Sequence, residues 1–141
     1  MRIMAIDYGD AHTGIAISDP TGLLAGFTTV INAYRPDRVT EQIALLAKEH
    51  GVERLVLGHP INMDGTRGPR SEKAQAMRQL LEETTGLPVV LWDERRTTID
   101  AHQILMSSGK NAKKRKKVVD AVAASVILEG YLTYLKTPPE G

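Results

Sequence analysis

Apolar residues follow two rhythms along this chain, and each predicts a different element. "MRIMAID" and "GIAISD" are short apolar runs joined by a glycine-containing connection, and "GLLAGFTTVIN" follows the turn signal "DPTG". Runs of this length, bounded by Gly, Pro and Asp, read as strands. They predict an antiparallel meander of three. The rhythm then changes. In "RPDRVTEQIALLAKEHG", Val39, Ile43, Leu46 and His50 recur at helical spacing, Pro36 suits a first helical turn, and Gly51 supplies a stop. "VERLVLG" is again a strand, "HPINMDGTRGPR" a Gly/Pro-rich loop, and a helix from about Ser71 to Thr85 is stopped by Gly86. "LPVVLWDE" predicts a fifth strand. Thr97 and Asp100 have the spacing of a capping box and open a helix toward Gly109. After the basic segment "KNAKKRKK", read as a loop, "VVDAVAASVILEGYLTYL" is a last helix, apolar on most faces and therefore buried.

Three strands in a meander, then helix, strand, helix, strand, helix and helix, describe an α/β chain with a mixed sheet covered by helices. In such sheets the strands after crossover helices run parallel, and sites gather at their carboxyl ends. No repeat or linker-like stretch divides the chain, so residues 1–141 are expected to form one domain. At 141 residues the chain can bury a core without a disulfide or structural metal. The absence of cysteine excludes thiolate metal sites and a cysteine nucleophile. No run suggests a membrane span or a signal peptide, which points to the cytoplasm and no membrane partner. Nothing in the sequence separates a monomer from a homodimer.

Charge changes the picture in one place. "KNAKKRKK" holds six of the 18 basic residues and none of the 17 acids, so the remainder is acidic while this segment is strongly positive. Lys110, Lys113, Lys114, Arg115, Lys116 and Lys117 are candidate contacts for a polyanion. Arg95 and Arg96, after the fifth strand, join them as candidate nucleic-acid contacts.

The predicted order brings acids to one edge. Asp7 ends strand one, Asp93 and Glu94 end strand five, and Asp120 heads the last helix in line with Ala123, Ala124, Ile127, Tyr131 and Tyr134. Adjacent strand residues point to opposite faces, so only one of Asp93 and Glu94 can join Asp7. A carboxylate at the head of a buried stripe needs a partner, and a divalent cation is one. Carboxylates without cysteine describe a hard-oxygen site for Mg²⁺ or Mn²⁺. Such a site can activate water and stabilise the leaving oxygen of a phosphodiester. Each acid also has a plainer role: Asp7 as a turn former, Asp93 and Glu94 as partners of Arg95 and Arg96, Asp120 as a helix N-terminal charge. His59 stands near the same edge, where a lone histidine is more often structural.

"AIDYGDAHTGIAISD", "GHPINMDGTRGPRSEKAQAM", "VVLWDERRTT" and "KKRKKVVDAVAASVIL" together resemble the successive blocks of the YqgF family, also called RuvX or Holliday junction resolvase-like. The resemblance implies a ribonuclease H-like fold, a five-stranded mixed sheet in which the antiparallel meander is joined by two parallel strands, with helices on both faces. It matches Asp7, Glu94 and Asp120 to the family's catalytic, metal-holding acids. It implies a bacterial cytoplasmic hydrolase, a Mg²⁺-dependent endonuclease maturing the 5′ end of the pre-16S ribosomal RNA, with resolution of branched DNA junctions as the alternative. Two residues depart from the pattern: His59, where the family more often has leucine, and Met77, where it more often has phenylalanine. A non-catalytic RNA-binding module is a rival from another class, in which the acids would be dispersed. The phosphate-binding domain of actin-like ATPases is a second, but it requires two such domains and this chain has room for one.

Overall fold

In the computed structural model, which describes residues 1–19, 25–59, 69–93 and 112–136, five strands and three helices pack as one layered unit. The strands are β1 (Ile3–Asp7), β2 (His12–Ser18), β3 (Ala25–Asn32), β4 (Arg54–His59) and β5 (Val89–Asp93). The helices are α1 (Pro36–His50), α2 (Pro69–Thr85) and α3 (Ala112–Lys136), the first ten residues of α3 being described by their backbone alone. The helix predicted between Thr97 and Gly109 lies outside the described residues.

The sheet order is β3-β2-β1-β4-β5. β1 pairs antiparallel with β2 and parallel with β4, β2 pairs antiparallel with β3, and β4 parallel with β5. The expected mixed sheet is therefore observed. Crossover helices α1 and α2 carry the chain between its parallel strands, as parallel pairing requires.

Alternation along the strands divides the interior in two. Met4, Ile6, Ile15, Ile17, Leu55 and Leu57 face α1 and α2, where they meet Val39, Ile43, Met77 and Leu81. Ile3, Ala5, Ala16, Val56 and Trp92 face the other way and meet Ala124, Ile127, Leu128 and Tyr131 of α3. Helices thus cover both faces. Burial of each large aliphatic side chain is worth about 1.5–3 kcal/mol, so the two layers together fix the sheet's orientation.

The helix boundaries follow from local chemistry. Pro36 opens α1 without losing a hydrogen bond the helix would have made. Gly51 closes it in the left-handed conformation (φ 66°), and the Val52 N–H donates back to the Ala47 carbonyl at 2.8 Å. Gly86 (φ 69°) closes α2 in the same way. The buried stripe of α1 runs through Val39, Thr40, Ile43 and Ala47, with His50 only half-buried against Phe27 at a ring separation of 4.6 Å.

One expectation is overturned. The basic residues Lys113, Lys114, Arg115, Lys116 and Lys117 do not form a loop; they occupy the first turns of α3. Lys and Arg are good helix formers, and no Gly or Pro separates them from the apolar stripe that anchors the helix. Asp120 is consequently well inside α3 and not in its first turn.

Candidate active site

Asp7 is the last residue of β1, at the carboxyl end of the strand central to the sheet. Ile3 and Ala5 precede it on the α3 face, so strand alternation sets Asp7 on that face too. It is partly exposed, and its partner across the β1–β2 ladder is Gly14. The loop that follows is tightly drawn. A side chain at Gly9 would run into the backbone carbonyl of His12, so glycine is needed for the turn immediately after the candidate carboxylate. The Ala33 N–H donates to the Ala11 carbonyl at 3.1 Å, and the His12 Nδ1 lies 2.6 Å from Asn32 Oδ1, which together tie the loop to the end of β3.

Asp93 is on the wrong face for a shared site. It follows Val90 and Trp92 on β5 and alternates with them, which sets it with Val89 and Leu91 toward α1 and α2. There its ladder partner is His59, itself buried, whose Nε2 is 2.6 Å from the Ser71 Oγ of α2. His59 therefore bridges a strand end to a helix start and stands away from the face of Asp7. Glu94, Arg95, Arg96 and Lys110 lie outside the described residues.

The other candidate acid among the described residues, Asp120, is in α3. Ala124, Ile127, Leu128 and Tyr131 form its sheet-facing stripe, and position 120 is in helical phase with Ala124, Ile127 and Tyr131. The helix is anchored at its far end, where Arg54 Nη1 donates to the Tyr131 hydroxyl at 2.9 Å. Trp92 packs edge-on against Tyr131, with ring centroids 5.8 Å apart, and Gly130 lets the helix close over the indole because a Cβ there would come within 3.3 Å of it. The new helix start removes one explanation for Asp120. The favourable effect of a helix dipole on an acid decays within the first turn, and Asp120 is beyond it.

Sequence reasoning passed over Tyr8, Tyr34 and Lys73, which the fold gathers beside the end of β1. They come from three separate segments, and no spacing in the sequence links them. Tyr8 directly follows Asp7, which was the one available signal. Burial pushes its phenol above the ordinary value, with the charge of Lys73 opposing and that of Asp10 adding to the rise.

Known proteins resemble this chain in sequence and in fold. The family model described as "RuvX: Holliday junction resolvase" matches residues 1–134. A protein of Halothermothrix orenii named "Putative pre-16S rRNA nuclease" is 45% identical over 134 residues, covering 95% of this chain and 96% of its own. A Bacillus subtilis protein of the same name is 44% identical over 137 residues, covering 96% and 99%. Among solved structures, Thermus thermophilus RuvC in complex with a Holliday junction superposes with a TM-score of 0.61 at 14% identity, covering 95% of this chain and 96% of that one. Fowlpox virus resolvase superposes at 0.58 and 12% identity, covering 97% and 100%. These likenesses show the fold, which is ribonuclease H-like, and the sequence relatives show the kinship: the chain belongs to the RuvX family.

Proposed function

We propose that the chain is a metal-dependent nuclease that hydrolyses phosphodiester bonds in the 5′-end maturation of pre-16S rRNA, with Asp7, Glu94 and Asp120 holding Mg²⁺ or Mn²⁺. The observation that carries this reading is Asp7 at the carboxyl end of β1, on the face that α3 covers. Two dimensions support the convergence. Tyr131 is held by Arg54, whose ladder partner is Ile3 at the start of β1. Eleven residues of helix back from Tyr131 to position 120 span about 16 Å, and the four steps of β1 from Ile3 to Asp7 span about 13 Å. A helix lying along the strand in the opposite sense would therefore bring Asp120 to the level of Asp7. For the third acid, alternation past Asp93 would return Glu94 to the face of Asp7.

The donor set fits the ion. Three carboxylates offer hard oxygen ligands, as Mg²⁺ and Mn²⁺ require, and the sequence holds no cysteine to favour a softer metal. A bound cation would supply an activated water and charge stabilisation for the leaving oxygen. The acids' own work is to hold their oxygens in a fixed geometry, Asp7 from the end of β1, Glu94 from just past Asp93 and Asp120 from α3. The basic positions Lys113 to Lys117, with Lys110, Arg95 and Arg96, bind backbone phosphates and orient the scissile bond, and phosphate contacts of this kind carry position and no sequence information.

The relatives' name supports an rRNA precursor as substrate, and an enzyme acting on it works in the cytoplasm. Among the described residues no helix is long and apolar enough to cross a membrane. The test is cleavage by the purified protein of precursor 16S rRNA and of a four-way DNA junction side by side, with Mg²⁺ and with chelator. Mg²⁺-dependent cutting of the precursor is expected. Cutting of the junction alone would reassign the substrate, and binding of RNA without cutting of either would leave a non-catalytic module.

A further inference from the structure

Behind Asp7, on the opposite face of the sheet, the end of β1 opens on a recess of about 350 Å³. Its floor is apolar, formed by Ala76, Met77 and Leu80 of α2, and its sides carry two aromatic rings, Tyr8 and Tyr34. Tyr34, in the connection between β3 and α1, is 81% exposed. A large ring held in water at the rim of an apolar recess is a surface for stacking. Lys73 completes the rim. Its Nζ is 3.2 Å from Asp10 Oδ1, but the two side chains are 61% and 78% exposed, so the pair contributes little and releases the lysine easily to a stronger anion.

We propose that this recess is a subsite for one unpaired base of the nucleic-acid substrate, stacked on Tyr34 and Tyr8, with Lys73 on the adjoining phosphate. The proposal rests on the nuclease reading and deepens it. Tyr8 follows Asp7 directly, so their Cα atoms are about 3.8 Å apart; the recess and the carboxylate share one strand end on opposite faces, and a strand that turns over the end of β1 reaches from one to the other. The volume lies at the lower end of the range for sites that enclose a small flat ligand. Stacking accepts any base, because every base has a π face, and it demands that the base be free of its complement. Met77 suits a floor of this kind, since its unbranched thioether adapts to an aromatic edge. The consequence is a preference for substrates that are single-stranded beside the cut.

The experiment uses a single-stranded RNA oligomer carrying 2-aminopurine at each position in turn, mixed with the full chain in chelator so that nothing is cleaved. Emission of this base falls when it stacks. Quenching is expected at one position with the wild type. Tyr34→Ala should restore emission there and weaken binding about 5- to 150-fold, while Tyr34→Phe should behave as wild type. Ala76→Leu, which fills the recess from an exposed helix position, should act like Tyr34→Ala. The same sequence as a duplex should bind wild type and Tyr34→Ala equally. Melting temperatures of the variants, read alongside, show that each is folded. Wild-type RNA binding with no quenched position, equal binding by wild type, Tyr34→Ala and Ala76→Leu, or no binding of the oligomer at all would each overturn the proposal. Cleavage of the precursor with Mg²⁺ reads the nuclease assignment separately: the wild type can cut while the recess proves empty, or can quench the base while cutting nothing.

Discussion

On one face of the sheet, two helices close over a continuous aliphatic layer that includes Met4, Ile6, Ile15, Leu55 and Leu57. On the other face, among the described residues, a single helix covers smaller strand residues, Ala5 and Ala16, and aromatic ones from β5 and α3. Asp7 is on the second face, and Asp93 on the first. The difference separates two tasks. The aliphatic core beneath the two helices serves stability, while the acid at the carboxyl end of β1 is set on the face that α3 covers. Strand alternation is the device that assigns each acid to one task or the other.

The strongest challenge to this division is Asp7→Asn. It is expected to remove Mg²⁺-dependent cleavage, by a factor on the order of 100 or more given what even outer partners of metal ligands contribute, while circular dichroism shows the native fold. Wild-type cleavage rates at saturating metal would end the assignment of chemistry to this face. Leu81→Ala makes the converse change on the two-helix face, where Leu81 is fully buried. It should cost about 2–5 kcal/mol in chemical denaturation, with cleavage per folded molecule unaltered. A loss of cleavage without a loss of stability would break the comparison from the other side.

A finer test sets neighbours against each other. Asp93→Asn should leave cleavage by the folded protein close to wild type, whereas Glu94→Gln should abolish it. If both abolish it, alternation at the end of β5 is not what selects the ligand. Replacing Lys113 to Lys117 with alanine should flatten the dependence of log affinity on log salt. Each single-strand phosphate contact contributes a slope of about −0.7, so the loss of three contacts reduces it by about 2. Fluorescence anisotropy over a salt series checks this, and an unchanged slope would return these residues to plain solvated surface. The smallest effect belongs to Thr13, whose Oγ1 is fully buried with no hydrogen-bond partner among the described residues. Thr13→Val should stabilise the chain by about 1 kcal/mol or leave it unchanged, as seen in its melting temperature.

Much of this was legible from the chain itself because local signals and burial agree. Pro36 and Gly51 bracket α1, Gly86 ends α2, and the apolar runs of β1, β2, β4 and β5 are bounded by their own turn residues. Asp7 was legible as a strand end. The start of α3 was not, because a run of like charges reads as solvated loop, while Lys and Arg propagate a helix whose anchor lies further along, at Ala124 and Ile127. The recess at Tyr8, Tyr34 and Lys73 was not either. Its walls come from the β1–β2 connection, the segment leading into α1, and α2, and only the parallel crossover brings them together. His59 was legible as a departure from the family pattern, and its bond to Ser71 gives that departure a structural role.

The helical form of the basic run also sets the shape of the charge it presents. Five successive helical positions rise only about 6 Å along the axis while turning more than once around it. Consecutive phosphates of one strand in a duplex are about 3.4 Å apart along its axis, so five of them cover more than twice that height. The run is therefore a compact collar and not a rail. On the nuclease reading, a single strand running past it would meet only the positions on one side of α3.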